Sequence, residues 1–179
     1  MAKAERVVMD AEGIDRSISR IAYEILEDNK GAADLVIVAI RSGGILLAGR
    51  IKEKISRIEG VTIPCGILDI TLYRDDVIMT DKKPKMGETN IPLSINDKKV
   101  ILVDDVVFTG RTIRAAMDAL MDFGRPRLIR LAVLVDRGHR ELPIRPDYVG
   151  EKLPSALWED VSVNLSESGG SDQVLIVQS

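Results

Sequence analysis

One stretch limits what this chain can fold into more than any other: residues 100–112, which read VILVDDVVFTGRT. The apolar run Val100, Ile101, Leu102, Val103 suits a strand buried on both faces. Asp104 and Asp105 follow where that strand should emerge. Thr109-Gly110-Arg111-Thr112 then makes a turn into a helix with Ile113, Ala116, Met117 and Leu120 on one face. The hydroxyls of Thr109 and Thr112, the flexible backbone at Gly110 and the free N–H groups of the helix start form an anion cup. Carboxylates a few residues upstream can accept hydrogen bonds from sugar hydroxyls, so a sugar carrying a phosphate at one end fits both halves. The stretch is not a Walker A loop, which ends in Gly-Lys-Ser/Thr. A bare strand-acid-loop pattern is also compatible with an ordinary polar mouth.

The flanking sequence reads as an α/β domain. Residues 15–30 form an amphipathic helix with Ile14, Ile18, Ile21, Ile25 and Leu26 inward, ended by Gly31. Residues 35–40 are a buried-type strand, and 44–58 a second helix with Leu47, Ile51, Ile55 and Ile58 inward. In the apolar segment 61–70, Pro64 places the strand after itself. Strand, helix, strand implies a right-handed parallel unit. Residues 127–135 supply a strand ending at Asp136, with short strands at 148–149 and 161–165, an edge at 174–177, and a turn at 167–172. Residues 72–96, with Asp75, Asp76, Asp81, Lys82, Lys83, Lys85 and Glu88, lack sustained periodicity and read as a lid or a hairpin arm. A parallel sheet with helices on both faces places ligands at the strands' carboxyl ends.

A chain of 179 residues is one domain by length. Its apolar runs all fall short of the roughly 18 residues of a membrane span, and MAKAERVVMD lacks a signal-peptide core. Cys65 is the sole cysteine, which excludes an intrachain disulfide and suits the cytoplasm. Net charge is −3, yet residues 125–145 carry six arginines against Asp136 and Glu141. Composition alone favours a solvated or subunit-contact surface there over a nucleic-acid face.

Taken together, YRDD, VILVDDVVFTGRT and LAVLVDRGHRELPIR, in that order, resemble the type I phosphoribosyltransferases. They are most similar to the branch that combines uracil phosphoribosyl transfer with attenuation of pyrimidine operons. The resemblance spans about residues 6–154 and fades in the tail. It implies the type I fold: a mainly parallel sheet flanked by helices, with a small hood and a flexible β-arm. Residues 1–179 are then a single domain, 72–96 the arm and 166–179 a divergent tail. It also implies phosphoribosyl diphosphate (PRPP), uracil and UMP as ligands, Mg2+ as cofactor, and a homodimer or larger homo-oligomer.

The resemblance assigns Asp104 and Asp105 to the ribose hydroxyls and, with PRPP, to Mg2+. It assigns residues 107–112 (Val107, Phe108, Thr109, Gly110, Arg111, Thr112) to the 5′-phosphate. Arg41-Ser42-Gly43-Gly44 becomes the diphosphate loop, with a cis peptide between Arg41 and Ser42. Relatives commonly carry Thr-Arg-Gly there; this sequence has Ser-Gly-Gly, and Arg41 or a residue of a neighbouring subunit is the candidate to compensate. Arg74 becomes a charge partner for diphosphate when the arm closes and excludes water. Purine-specific relatives place an aspartate where Phe108 stands, which argues for a pyrimidine read by backbone groups.

Asp136 and Arg137 are then placed to contact the base. Ser19, Arg20, Arg140, Arg145 and Lys152 match or lie on the RNA-binding face of the attenuation proteins, which bind leader mRNA. Two departures are Tyr23, where relatives have a histidine, and Glu151, where they have a basic residue. The sequence leaves three readings: a UMP-dependent RNA regulator that is also a uracil phosphoribosyltransferase, a salvage transferase for uracil or a purine, and a nucleotide-sensing RNA binder with residual catalysis.

Overall fold

The structure is a computed structural model that describes residues 5–75 and 87–178. In chain order the elements are β1 (Glu5–Met9), α1 (Ala11–Asn29), β2 (Leu35–Ile40), α2 (Gly44–Glu59), β3 (Cys65–Leu68), β4 (Lys99–Val107), α3 (Arg111–Met121), β5 (Leu128–Asp136), β6 (Tyr148–Lys152), β7 (Glu159–Asn164) and β8 (Gln173–Gln178). Short 3-10 turns occupy Thr71–Tyr73 and Ser166–Ser168. The main sheet has the order β3-β2-β4-β5-β6, with every pair parallel. β1, β8 and β7 make a separate antiparallel sheet of three strands, the hood.

Alternate residues of the central strands feed two cores, as period-2 geometry requires. Ile37, Ala39, Ile101 and Val103 pack with α1 and α2, including Ile18, Ile21, Leu47 and Ile51. Val36, Val38, Val100 and Leu102 pack with α3 through Ile113, Ala116 and Leu120. Covering both faces is why β2, LVIVAI, is apolar at every position and buried throughout.

Several boundaries differ from the sequence reading. α1 begins at Ala11 rather than Asp15, because the Asp10 side chain caps it, accepting from the Gly13 N–H at 2.8 Å. In α2 the buried face ends at Ile55, and Ile58 is 40% exposed. The expected edge strand 174–177 is the middle strand of the hood, because β1 pairs along its other side. Residues 91–95 do not stand away from the domain: Ile91 and Leu93 pack on the α3-side core, and Ile95 is fully buried there. The tip of the expected arm, with Asp76, Asp81, Lys82, Lys83 and Lys85, lies outside the described residues.

One mismatch between strands makes the site. β4 pairs with β2 only as far as Val103, opposite Ala39, but with β5 as far as Val107, opposite Asp136. Asp104 and Asp105 therefore lie inside β4 rather than beyond it. Along residues 104–107 the β2 edge is open, and the turn after β2 covers it.

Candidate active site

The turn after β2 lies directly on β4. A Cβ on Gly44 would sit 2.2 Å from the Val103 carbonyl oxygen, and one on Gly43 would sit 2.5 Å from the Asp105 carboxylate. The paired glycines are what the close approach demands. A side chain at position 43 would also require the Asp105 carboxylate to shift. The Arg41–Ser42 peptide is cis. Arg41 itself donates to the Glu88 carbonyl oxygen at 3.3 Å.

The helix starts divide into two kinds. α1 is capped by Asp10, whereas α2, entered through Gly43, and α3, entered through Gly110 at φ 93°, have no side-chain cap. The uncapped ends open at the carboxyl edge of the sheet, one on each side of Asp104 and Asp105. Each presents unsatisfied N–H groups and partial positive charge, a place for an anion. A cavity of about 350 Å³ at the α3 start is lined by Arg74, the 106–113 backbone and Glu141. Across its mouth Arg111 pairs with Glu141 and with Asp75, both at 2.6 Å. Thr109 Oγ1 accepts from the Arg111 N–H at 3.3 Å, and its carbonyl accepts from Glu141 and Leu142.

The two acids are unequal. Asp104 is only 6% exposed. Burial, then the neighbouring charge of Asp105, hold its carboxyl well above the usual carboxylate range, outweighing its acceptance of the Asp105 N–H. Asp105 is half-buried and accepts the Val106 N–H at 2.8 Å. Among the described residues no three His, Cys, Asp or Glu side chains cluster as metal ligands. The adjacent acids fit Mg2+ arriving on a phosphorylated ligand, because that ion keeps waters and takes one or two carboxylates.

Beside this cavity lies a second, also about 350 Å³, lined by Asp136, Arg137, Gly138, His139, Lys152 and neighbouring residues of the 153–155 turn. Arg137 is buried; Nε donates to Ser155 Oγ at 3.0 Å, and Nη2 donates to the Ala156 and Glu159 carbonyl oxygens. Its guanidinium also stacks on Phe108 at 4.0 Å from the ring centroid. Arg140 does not face outward as the sequence reading has it. Nη2 takes both oxygens of Asp136 at 2.8 and 2.7 Å, Nη1 reaches the Phe108 and Gly138 carbonyls, and Nε reaches that of Ile144. All its donors are used inside the protein.

A phosphoribosyl transferase domain family matches residues 8–166. The chain is 54% identical over 178 residues to the Bifunctional protein PyrR of Pelotomaculum thermopropionicum, covering 99% of this chain and 98% of that protein. It is 56% identical over 173 residues to the Bifunctional protein PyrR 1 of Lactiplantibacillus plantarum, covering 96% of each. The chain belongs to the PyrR family of phosphoribosyltransferases. Among solved structures, a hypoxanthine phosphoribosyltransferase of Trypanosoma cruzi superposes with a TM-score of 0.75 at 20% identity, covering 98% of this chain and 97% of that one. At that identity the likeness establishes the shared fold of the PyrR chain and the purine enzyme.

In this PyrR-family chain, Arg20, Arg145 and Lys152 converge on a hollow of about 330 Å³ beside Glu24, Asp136 and Asp147. Arg20 is held there by the Val149 and Gly150 carbonyls, at 3.0 and 2.5 Å. Ser19 Oγ is turned back to the Asp15 carbonyl at 2.8 Å, and Tyr23 is 60% exposed. Glu151, Arg16 and Arg20 line a larger hollow at the start of α1, away from the loops.

Two residues escaped the sequence reading. Arg50 of α2 pairs with Glu167 and Asp172 and donates to Ser166 Oγ, tying the hood turn to the helix that starts at Gly44. Asp69 accepts from Thr71 N–H and Oγ1 and from Gly87 N–H, bracing the exit from β3. Burial opposes ionisation of Asp69, but these bonds and Arg41 lower its pKa overall. No local pattern distinguishes either residue.

Proposed function

We propose that this chain transfers the phosphoribosyl group of PRPP to uracil, forming UMP and diphosphate. With UMP bound it holds the leader mRNA of pyrimidine genes and promotes termination. The observation that carries the reading is the pair of uncapped helix starts flanking Asp104 and Asp105. They make two anion cups with sugar-binding carboxyls between them, which suits a ligand phosphorylated at both ends.

In this reading the 110–113 backbone, Thr109 and Thr112 take the 5′-phosphate, and the 42–44 backbone takes the diphosphate. Asp104 and Asp105 accept from the ribose hydroxyls. Arg74 supplies positive charge at the cavity mouth. Asp104 and Asp105 are the residues that would hold Mg2+, which when bound neutralises charge on the departing diphosphate. The protein contributes positioning and electrostatic stabilisation. Uracil occupies the cavity between Asp136 and Ser155.

Ser19, Arg20, Arg145 and Lys152 contact RNA phosphates, while Arg140 positions the loops from inside. The protein acts as a homodimer or larger homo-oligomer in the cytoplasm. For UMP to act as a signal, it must bind the RNA-competent form better than the other.

The test combines radiolabelled uracil and PRPP turnover with a gel-shift titration of the organism's own pyrimidine leader RNA, with and without UMP, at two salt concentrations. Expected are UMP formation and RNA binding that tightens with UMP and weakens with salt. Turnover without RNA binding leaves a salvage transferase. RNA binding without turnover leaves a nucleotide sensor.

A further inference from the structure

His139 is the only histidine of the chain. Its ring is fixed from two sides. Nε2 lies 2.5 Å from the Ser155 carbonyl oxygen; a carbonyl only accepts, so Nε2 carries the hydrogen. The ring also meets Phe108 edge to face, with centroids 5.7 Å apart and planes at 74°. Phe108 in turn lies under Arg137. The backbone at His139 is left-handed, φ 58°, directly after Gly138 at φ 76°, a conformation uncommon for a residue with a side chain.

With its hydrogen on Nε2, the neutral ring has its lone pair on Nδ1, which makes no hydrogen bond among the described residues. The other side chains lining the cavity are already engaged or only donate. Both oxygens of Asp136 are held by Arg140. Arg137 and Lys152 only donate. Nδ1 is therefore the side-chain acceptor in this lining without a partner among the described residues, where the base is proposed to sit.

We propose that His139 Nδ1 accepts the N1 proton of uracil as N1 attacks C1′ of PRPP. The N1–H bond breaks and an Nδ1–H bond forms. The N1 pair makes the C1′–N1 bond, and diphosphate leaves with the C1′–O pair. The imidazolium then returns its proton to solvent. This inference rests on the transferase half of the proposed function. The charged groups around the ring are Asp136, Arg137 and Arg140 from the end of β5 and its turn, Lys152 from β6 and Glu159 from β7.

The test compares uracil with 5-fluorouracil, whose N–H is more acidic, in the intact protein, His139→Gln and His139→Asn. His139→Gln keeps a donor for the Ser155 carbonyl but has no basic nitrogen. Expected is a fall in kcat with uracil of about 10²-fold or more, with the PRPP KM and UMP binding within about twofold. The loss should be smaller with 5-fluorouracil, and the acid limb of the kcat/KM–pH profile should be absent in both variants. Added imidazole should restore part of the rate. A kcat within about threefold of the intact protein overturns the inference, as do equal losses for both substrates with the acid limb retained. Absence of turnover in the intact protein overturns the transferase reading, and this inference with it.

Discussion

Arg137 and Arg140 lie within eight positions of Arg145 in the chain, yet they do opposite things. The first two are turned inward. Arg137 is buried against Ser155, Ala156, Glu159 and Phe108, and Arg140 spans Asp136, Phe108, Gly138 and Ile144. Arg145 is exposed and meets Arg20 and Lys152 over an open hollow. The inward pair holds the turn after β4 to the turn after β5, so both cavities share one wall. The outward set is hydrated positive charge available to a polyanion. A cluster of arginines is therefore two arrangements: an internal clamp and an exposed set, which the proposed function makes a contact surface.

Substituting across that divide should separate the two. The largest effect is expected for Arg137→Ala, which leaves the Ser155 hydroxyl and two carbonyls without their donor and unstacks Phe108. Urea unfolding should report a loss of about 3 kcal/mol, with Arg137→Lys recovering only part of it because an ammonium cannot reproduce the planar fork. Arg140→Ala should cost about 2 kcal/mol by the same measurement. Calorimetry should find UMP bound about tenfold more weakly, because the Phe108 carbonyl and Asp136 lose their common tie. If Arg140→Ala instead leaves UMP affinity intact and abolishes only RNA binding, Arg140 belongs with the outward set.

A third inward arginine extends the comparison to the hood. Arg50→Ala should cost about 1–2 kcal/mol at neutral pH. The pairing also sets an acid dependence. Hydrogen bonds from Arg50, outweighing burial, lower Asp172 to about 2 from the ordinary 3.8. A carboxylate depressed in the folded state adds stability above its unfolded pKa and loses it as pH falls through the folded one. Thermal melts should therefore decline from about pH 4 to pH 2 in the intact protein, and less steeply over that window in Arg50→Ala.

The smallest effect on stability, within about 0.5 kcal/mol, is expected for Arg145→Gln. Its signature lies elsewhere. Leader RNA should bind several-fold more weakly, and the slope of log affinity against log salt should fall by about one unit. An unchanged slope would remove Arg145 from the contact surface.

Much of the main sheet was readable because it is buried on both faces. β2 runs from Leu35 to Ile40 as its unbroken apolar run requires, and β3, an edge strand, starts immediately after Pro64, which has no N–H to give a ladder. The cis peptide at Arg41–Ser42 and the turn into α3 also lie where the family resemblance puts them. What was not readable depends on partners far away. Residues 5–9 carry no periodic signal and become a strand only by pairing with residues 174–177. Asp104 and Asp105 looked like the residues beyond a strand end, and only the longer ladder to β5 shows them to lie within it.

By itself the sequence determined the central strands, the glycines that let a turn lie on β4, and the two helix starts without a capping side chain. These follow from local chemistry: which residues exclude water, which lack a Cβ and which lack an acceptor. The tertiary structure alone decided where the charges end. Arg140 meets Phe108 across 32 positions and Arg50 meets Glu167 across 117. A guanidinium has the same five donors wherever it stands, so its role is set by which acceptors the fold brings within about 3 Å.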